Sequence, residues 1–268
     1  MSGIEVVIFQ YFVVIFLGLV FGSFASALVY RIPRDMPWFY EVDKSGKRSP
    51  CRSQCTHCSY TLKFADLIPL VSWVLQKGRC RACGVKISPI YPVIELTSLI
   101  GFLCVYATFG FALSSIFLFL AIPVMVSLIY IDLEHFILPD ELVLALALIG
   151  CSFLLFQAMS ELLDWQSVFF LHLGGALLYG LFAYALGLGM EKLLKKEALG
   201  FGDVKFFAVA GLWLGTFQFS TFLLLSGVIG IIFALIWRKL MKTEVFPFGP
   251  ALIASFFVHL LMNGSHFL

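Results

Sequence analysis

Charge is scarce in this chain: only 13% of its 268 residues are Asp, Glu, Lys or Arg, while 61% are hydrophobic. With a mean hydropathy of +0.99 and repeated apolar runs of transmembrane length, a soluble domain is excluded. The chain reads as an all-α polytopic membrane protein. Basic residues are missing ahead of the first apolar run, which is also long for a signal h-region. That run therefore reads as an uncleaved span and not as a signal peptide. No internal repeat is evident, which argues against a transporter built from duplicated halves.

About eight spans are expected, at 6–30, 93–110, 113–131, 141–158, 167–190, 203–218, 219–237 and 246–263, several of them near the short end of the usual range. The only sizeable polar segment is an insert between the first two. Residues 31–88 hold eleven Lys or Arg and four Asp or Glu, 11 − 4 = +7. The remaining basic residues are Lys192, Lys195, Lys196, Lys205, Arg238, Lys239 and Lys242. With eight spans and the amino terminus outside, all eighteen fall on the cytoplasmic side. The external stretches, such as Met159–Gln166 and Met262–Leu268, contain none. By the positive-inside rule, the insert faces the cytoplasm. The organisation expected is a first transmembrane helix over 1–30, the insert over 31–92 and a transmembrane core over 93–268.

The insert contains Cys55-Thr56-His57-Cys58 and Cys80-Arg81-Ala82-Cys83, separated by 21 residues. Two Cys-x2-Cys knuckles at this separation fit a structural zinc site, because four thiolates close a tetrahedron and leave no open position. A reducing compartment disfavours disulfides; unmetallated thiols or a redox pair are the other readings. Cys51 and His57 are competing ligands, whereas Cys104 and Cys151 lie mid-span as packing residues. Phe64–Leu75 is apolar apart from Asp66 and Ser72, too short to span, and suited to the membrane interface. The surrounding basic excess suits anionic lipid or a charged substrate segment. A domain tied between two spans argues against a nucleic-acid partner.

Two aspartates stand at the edges of apolar segments. Asp132 follows Leu128-Ile129-Tyr130-Ile131, and Asp203 closes Gly200-Phe201-Gly202-Asp203. The topology places both at the cytoplasmic face, and ionisable groups at membrane depth imply function by default. Asp132 faces the negative end of its own helix dipole, which needs compensation, whereas Asp203 opens a span, where capping alone explains a carboxylate. Asp140, after Pro139, reads as an N-cap, and Glu134 and His135 as solvated. Two close carboxylates in a poorly hydrated site share one proton, which suits peptide hydrolysis. Gly200 and Gly202 allow close backbone approach. Two other classes are open at this point: a proton- or cation-coupled transporter using the Asp pair, and an assembly scaffold docking partners through the insert.

In these residues the chain resembles the type IV prepilin peptidase family, the bifunctional leader peptidases and N-methyltransferases of bacterial pilus and type II secretion systems. The resemblance runs in order from Gly22-Ser23-Phe24 and Arg31-Ile32-Pro33 through the two knuckles, which flank Ile68-Pro69-Leu70-Val71-Ser72. It continues with Tyr91-Pro92, Glu95-Leu96, Ile131-Asp132, Leu138-Pro139-Asp140, and Gly200-Phe201-Gly202-Asp203 with Lys205, and ends at Pro247-Phe248-Gly249-Pro250. It implies an inner-membrane enzyme that removes short basic leaders from prepilins and pseudopilins after a glycine, with Asp132 and Asp203 catalytic. It also implies methylation of the new amino terminus by S-adenosylmethionine, in which the 31–92 insert takes part. Gly200, Gly202, Lys205, Pro247, Gly249 and Glu95 are the implied binding or supporting positions. For Glu95 a salt bridge to the basic insert is the plainer alternative. One departure stands out: Ser26 occupies the place of the family's asparagine. No nucleotide-type glycine loop marks a site for S-adenosylmethionine.

Overall fold

The computed structural model describes residues 3–37, 40–42, 48–160, 164–195, 199–243 and 245–262. Asp43, Lys44, Lys47, Lys196 and the external stretches 161–163 and 263–268, all used in the topology above, lie outside the described residues. The chain forms two compact units, Met1–Ala107 and Thr108–Leu268.

The first unit is built on two long helices. α1 (Gly3–Arg31) buries Val14, Gly18, Gly22, Ala25 and Val29 in one stripe, the spacing of a single helix face. The stripe meets α3 (Ile90–Phe109), and glycines set the closeness of approach. A methyl on Gly18 would lie 3.1 Å from Leu99 Cα, and one on Gly22 only 2.7 Å from Glu95 Cα. This is small-residue packing of the kind that membrane helices use. The rest of α1 presents Ile8, Phe9, Phe12 and Phe16 outward, as a lipid-facing surface does. Between these helices the insert folds as a short hairpin, β1 (Tyr40–Val42) against β2 (Arg48–Pro50), then the two cysteine loops and the five-residue α2 (Val71–Leu75).

The second unit contains α4 (Ser115–His135), α5 (Asp140–Met159), the turn α6 (Trp165–Ser167), which runs through a π-helical stretch (Val168–Leu173) into α7 (Gly174–Leu194), and then α8 (Phe201–Leu214), α9 (Phe219–Met241) and α10 (Gly249–Met262). α8 sits at the centre, packed on α5, α7 and α10. Its Trp213 stacks on Phe153 at 5.5 Å and its Phe206 meets Phe256 edge-on at 5.6 Å. All four rings are fully buried.

Helices stand at all eight expected span positions, but among the described residues six are long and apolar enough to cross a membrane: α1, α3, α4, α5, the run Phe170–Leu193 and the run Thr216–Met241. α8 has 14 residues and α10 has 14 among the described residues, about 21 Å of rise against a hydrocarbon core of roughly 30 Å. The shortening has local causes. Gly215, at φ 72°, stops α8 after Leu214, so the expected 203–218 span ends at a residue that only glycine adopts easily. Pro250 confines the start of α10 to Gly249, since proline fits only the first helical turn. The two short helices are the ones that carry Asp203 and Gly249.

Candidate functional site

In the second unit the ends of α4, α5, α8 and α10 converge. Asp132 lies in the last turn of α4 and is 5% exposed. The compensation that its helix end demands comes from α10: the Gly249 N–H donates to Asp132 Oδ2 at 2.9 Å. The positive end of one helix dipole thereby offsets the negative end of another. Only glycine fits there, since a methyl on Gly249 would lie 2.6 Å from that oxygen and 3.0 Å from Leu138 Cδ2. Pro247 is buried beside it.

α4 ends at Phe136, whose left-handed conformation (φ 58°) returns its N–H to the Asp132 carbonyl. The chain then runs through the buried Leu138 into α5. Leu138 is a spacer: it touches the Gly249 position on one side and lies 3.0 Å from a methyl built on Gly202 on the other. It therefore fixes the start of α8 against the end of α4. Sequence reading gave Leu138 only as part of a motif, and its apolar side chain carries no signal of this role.

Asp203 is the third residue of α8 and half-buried. Its Oδ2 lies 3.3 Å from a methyl built on the N-cap residue Gly200. The third helical position is where a capping-box carboxylate sits, so Asp203 is placed to cap α8. Asp140 is not an N-cap: Pro139 occupies that position. Asp140 instead pairs with Lys205 of α8 at 2.6 Å, tying α5 to α8. Lys205 also lies over the Phe201 ring, 4.7 Å from its centre.

In the first unit, Cys55, Cys58, Cys80 and Cys83 bring their sulfurs within 4.8 Å of one another. The two loops are built alike. Cys55 N–H bonds Tyr60 O and Ser59 N–H bonds Cys55 O; Cys80 N–H bonds Val85 O and Gly84 N–H bonds Cys80 O. Ser59 (φ 55°) and Gly84 (φ 71°) supply the left-handed turns. Four ligands at about 2.3 Å from a tetrahedral ion stand roughly 3.8 Å apart. Cys55–Cys83 and Cys58–Cys80 lie at 3.9 and 4.0 Å, so the donor set fits zinc. Backbone N–H groups of Cys58 and His57 hold the Cys55 thiol down to about 6. Cys58 accepts from the Tyr60 backbone, yet burial and the thiols of Cys83, Cys55 and Cys80 push it up to about 12. Four crowded sulfurs ionise together only around a cation. Cys51 and His57 stay outside the cluster.

The same unit encloses a cavity of about 560 Å³, between the end of α1 (Ser23, Ser26, Tyr30), the cysteine loops and the start of α3 (Tyr91, Glu95). Glu95, 8% exposed, accepts from the Leu70 N–H at 2.7 Å. The amide it captures belongs to a strained tight turn: Leu70 has φ 58° and ψ −51°, and Val71 N–H reaches Pro69 O at 2.6 Å. The basic insert thus holds Glu95 by an amide, and none of the salt bridges among the described residues involves it. Ser26 turns its hydroxyl onto Ser23 O at 2.8 Å, so at the departure from the family pattern the polar group is spent on its own helix.

Residues 16–109 match the model of the bacterial Peptidase A24 N-terminal domain, and residues 116–235 that of the type IV leader peptidase family. The gap between these matches falls beside the boundary of the two compact units. The chain is 33% identical over 267 residues to a prepilin leader peptidase/N-methyltransferase of Pectobacterium carotovorum subsp. carotovorum, covering 92% of this chain and 91% of that one. It is 33% identical over 246 residues to a type 4 prepilin-like proteins leader peptide-processing enzyme of Escherichia coli O78:H11 (strain H10407 / ETEC), covering 88% and 87%. A prepilin leader peptidase/N-methyltransferase of Legionella pneumophila is 32% identical over 276 residues, covering 96% and 93%. No solved structure matches the chain significantly.

Proposed function

This chain belongs to the type IV leader peptidase family, and from that premise we propose that it is a membrane aspartyl endopeptidase with Asp132 and Asp203 as its catalytic pair. The substrate is a prepilin or pseudopilin, cut after a glycine to release its short basic leader on the cytoplasmic side. The observation that carries the reading is the convergence of the end of α4, where Asp132 is buried, on the start of α8, which holds Asp203, across Leu138, which packs against both the Gly249 and the Gly202 positions. One carboxylate takes a proton from water as the water attacks the scissile carbonyl, and the other donates to the carbonyl oxygen. Gly249 N–H orients Asp132 for this, and Leu138 sets the spacing. The missing side chains of Gly202 and Gly200 make room for Leu138 and for the Asp203 carboxylate, respectively. A transport role gains nothing from this geometry, because both aspartates sit at helix ends and not halfway along a span.

The second activity is N-methylation of the new amino terminus. S-adenosylmethionine supplies an electrophilic methyl group, and the cavity beside Glu95 has the volume and mixed polarity of a small-molecule site. Glu95 lines that cavity with its carboxylate fixed by the Leu70 N–H, suited to holding the substrate ammonium and accepting its proton. Zinc at the four cysteines is structural and braces one wall of the cavity. The insert is assigned to the cytoplasmic face of a bacterial inner membrane, a reading that its excess of basic residues supports.

The test is reconstitution of the purified protein in lipid with a prepilin and S-adenosylmethionine, followed by intact-mass measurement of the products. Leader loss followed by gain of one methyl is expected; an uncut prepilin would defeat the proposal.

A further inference from the structure

The segment Phe64–Leu75 is built inside out for a water-exposed loop. Its one carboxylate, Asp66, has a side chain only 2% exposed. Asp66 is held by Arg81 at 3.0 Å, Gln76 at 3.2 Å and the Lys63 N–H at 3.0 Å. Its apolar residues point the other way: Phe64 is 86% exposed, Leu75 77%, Val74 64% and Val71 49%, with Leu67 and Ile68 beside them. On α2, Val71, Val74 and Leu75 share one face by helical spacing, while Trp73 turns inward to bond Ile87 O.

Depth is fixed by one hydrogen bond and one close packing contact. The Leu70 N–H reaches Glu95 at 2.7 Å, and Glu95 packs on α1 at Gly22, next to Ser23, where a methyl would lie only 2.7 Å from Glu95 Cα. From Ser23, α1 continues eight more residues to Arg31, a rise of about 12 Å. Near that end Arg34 stacks on Tyr30 at 4.3 Å, the aromatic and basic pairing that marks a headgroup region. The apolar face therefore lies not beyond the ends of the spans but alongside the last turns of α1. That matches the depth of roughly 5–10 Å at which interfacial segments bury their apolar side. Exposed basic residues bracket it: Lys63 just before Phe64, and Lys77 and Arg79 just after Leu75.

We propose that residues 64–75 form a membrane-interface anchor, with the apolar face seated among acyl chains and Lys63, Lys77 and Arg79 on anionic lipid headgroups. Through the bond from Leu70 to Glu95, the anchor holds the cavity of the first unit at the membrane surface. The proposal is independent of the catalytic assignment, since its test reads fluorescence and not turnover.

Leu75→Trp and, at the other end of the face, Phe64→Trp place reporters in the full-length protein. Each is read in nanodiscs by difference from the wild type. In phosphatidylcholine with phosphatidylglycerol, the added tryptophan is expected to be blue-shifted and quenched by brominated acyl chains, with little quenching by aqueous acrylamide. Quenching by bromolipid is expected to weaken in phosphatidylcholine alone, and the Lys63→Gln/Lys77→Gln/Arg79→Gln triple variant should remove that difference. Quenching by acrylamide alone would overturn the anchor. Quenching by neither agent would mean that protein, such as a second copy, covers the face, which also overturns it. Equal bromolipid quenching in both lipid mixtures would overturn the headgroup contacts.

Discussion

Gly249→Ala is the sharpest structural probe of the aspartate site. The new methyl would lie 2.6 Å from Asp132 Oδ2, where ordinary contact begins at 3.4 Å, so the carboxylate must retreat by 3.4 − 2.6 = 0.8 Å. If it retreats along that line, the hydrogen bond from Gly249 N–H stretches from 2.9 Å to about 3.5 Å, the outer limit of such a bond. Weakening a charge-assisted bond at a buried acceptor to that limit costs up to about 1.5–3 kcal/mol, and displacing a reacting group by nearly 1 Å costs on the order of 10²-fold in rate. The expected result is a fall in kcat for leader cleavage of about 10²-fold with KM little changed, in protein whose thermal unfolding shows a single, modestly lowered transition. Gly200→Ala is the control. Its methyl meets only Asp203 Oδ2, at 3.3 Å, and its effect should be far smaller. Equal kcat in Gly249→Ala and wild type would refute the claim that the Gly249 amide positions Asp132.

Glu95→Gln should abolish methylation while leaving leader cleavage intact, read as unmethylated mature product in the mass spectrum. Glu95→Ala should in addition destabilise the first unit by about 1–3 kcal/mol, because the Leu70 amide in its strained turn loses its acceptor; thermal melts of the two variants make the comparison. Metal analysis should find one zinc per chain, lost in Cys80→Ser, with chelation exposing residues 50–88 to proteolysis. A full zinc content in that variant would exclude the four-cysteine site. A double-mutant cycle of Asp140→Asn and Lys205→Met should give a coupling below about 1 kcal/mol that fades with salt, because both side chains are partly exposed.

The membrane class, the helix positions and the cysteine cluster were legible because each rests on a short-range pattern: apolar runs, or paired thiols at fixed spacing. The length of α8 was not. A hydropathy reading smooths over Gly215, and only the backbone shows that the helix stops there. The partner of Asp132 was hidden for a different reason. Gly249 lies 117 residues away in sequence and contributes an amide and an absent side chain, neither of which composition reports. Asp140 was misread as a cap because Pro139-Asp140 opens a helix in the expected place, but proline itself takes the N-cap position and frees the carboxylate for Lys205. The exposed face of Phe64–Leu75 was visible as an apolar run, whereas its depth beside α1 depends on the hydrogen bond from Leu70 to Glu95 and on the packing of Glu95 against Gly22.

The central claim is that Asp132 and Asp203 carry out peptide hydrolysis together. The most direct measurement is single-turnover leader cleavage by Asp132→Asn, Asp203→Asn and the double variant in lipid, with metal content and thermal stability held as checks on folding. Each single substitution should slow cleavage by about 10²–10⁴-fold, and the double variant should be little worse than either, as expected of two groups acting as a unit. Cleavage at the wild-type rate in either single variant would contradict the assignment.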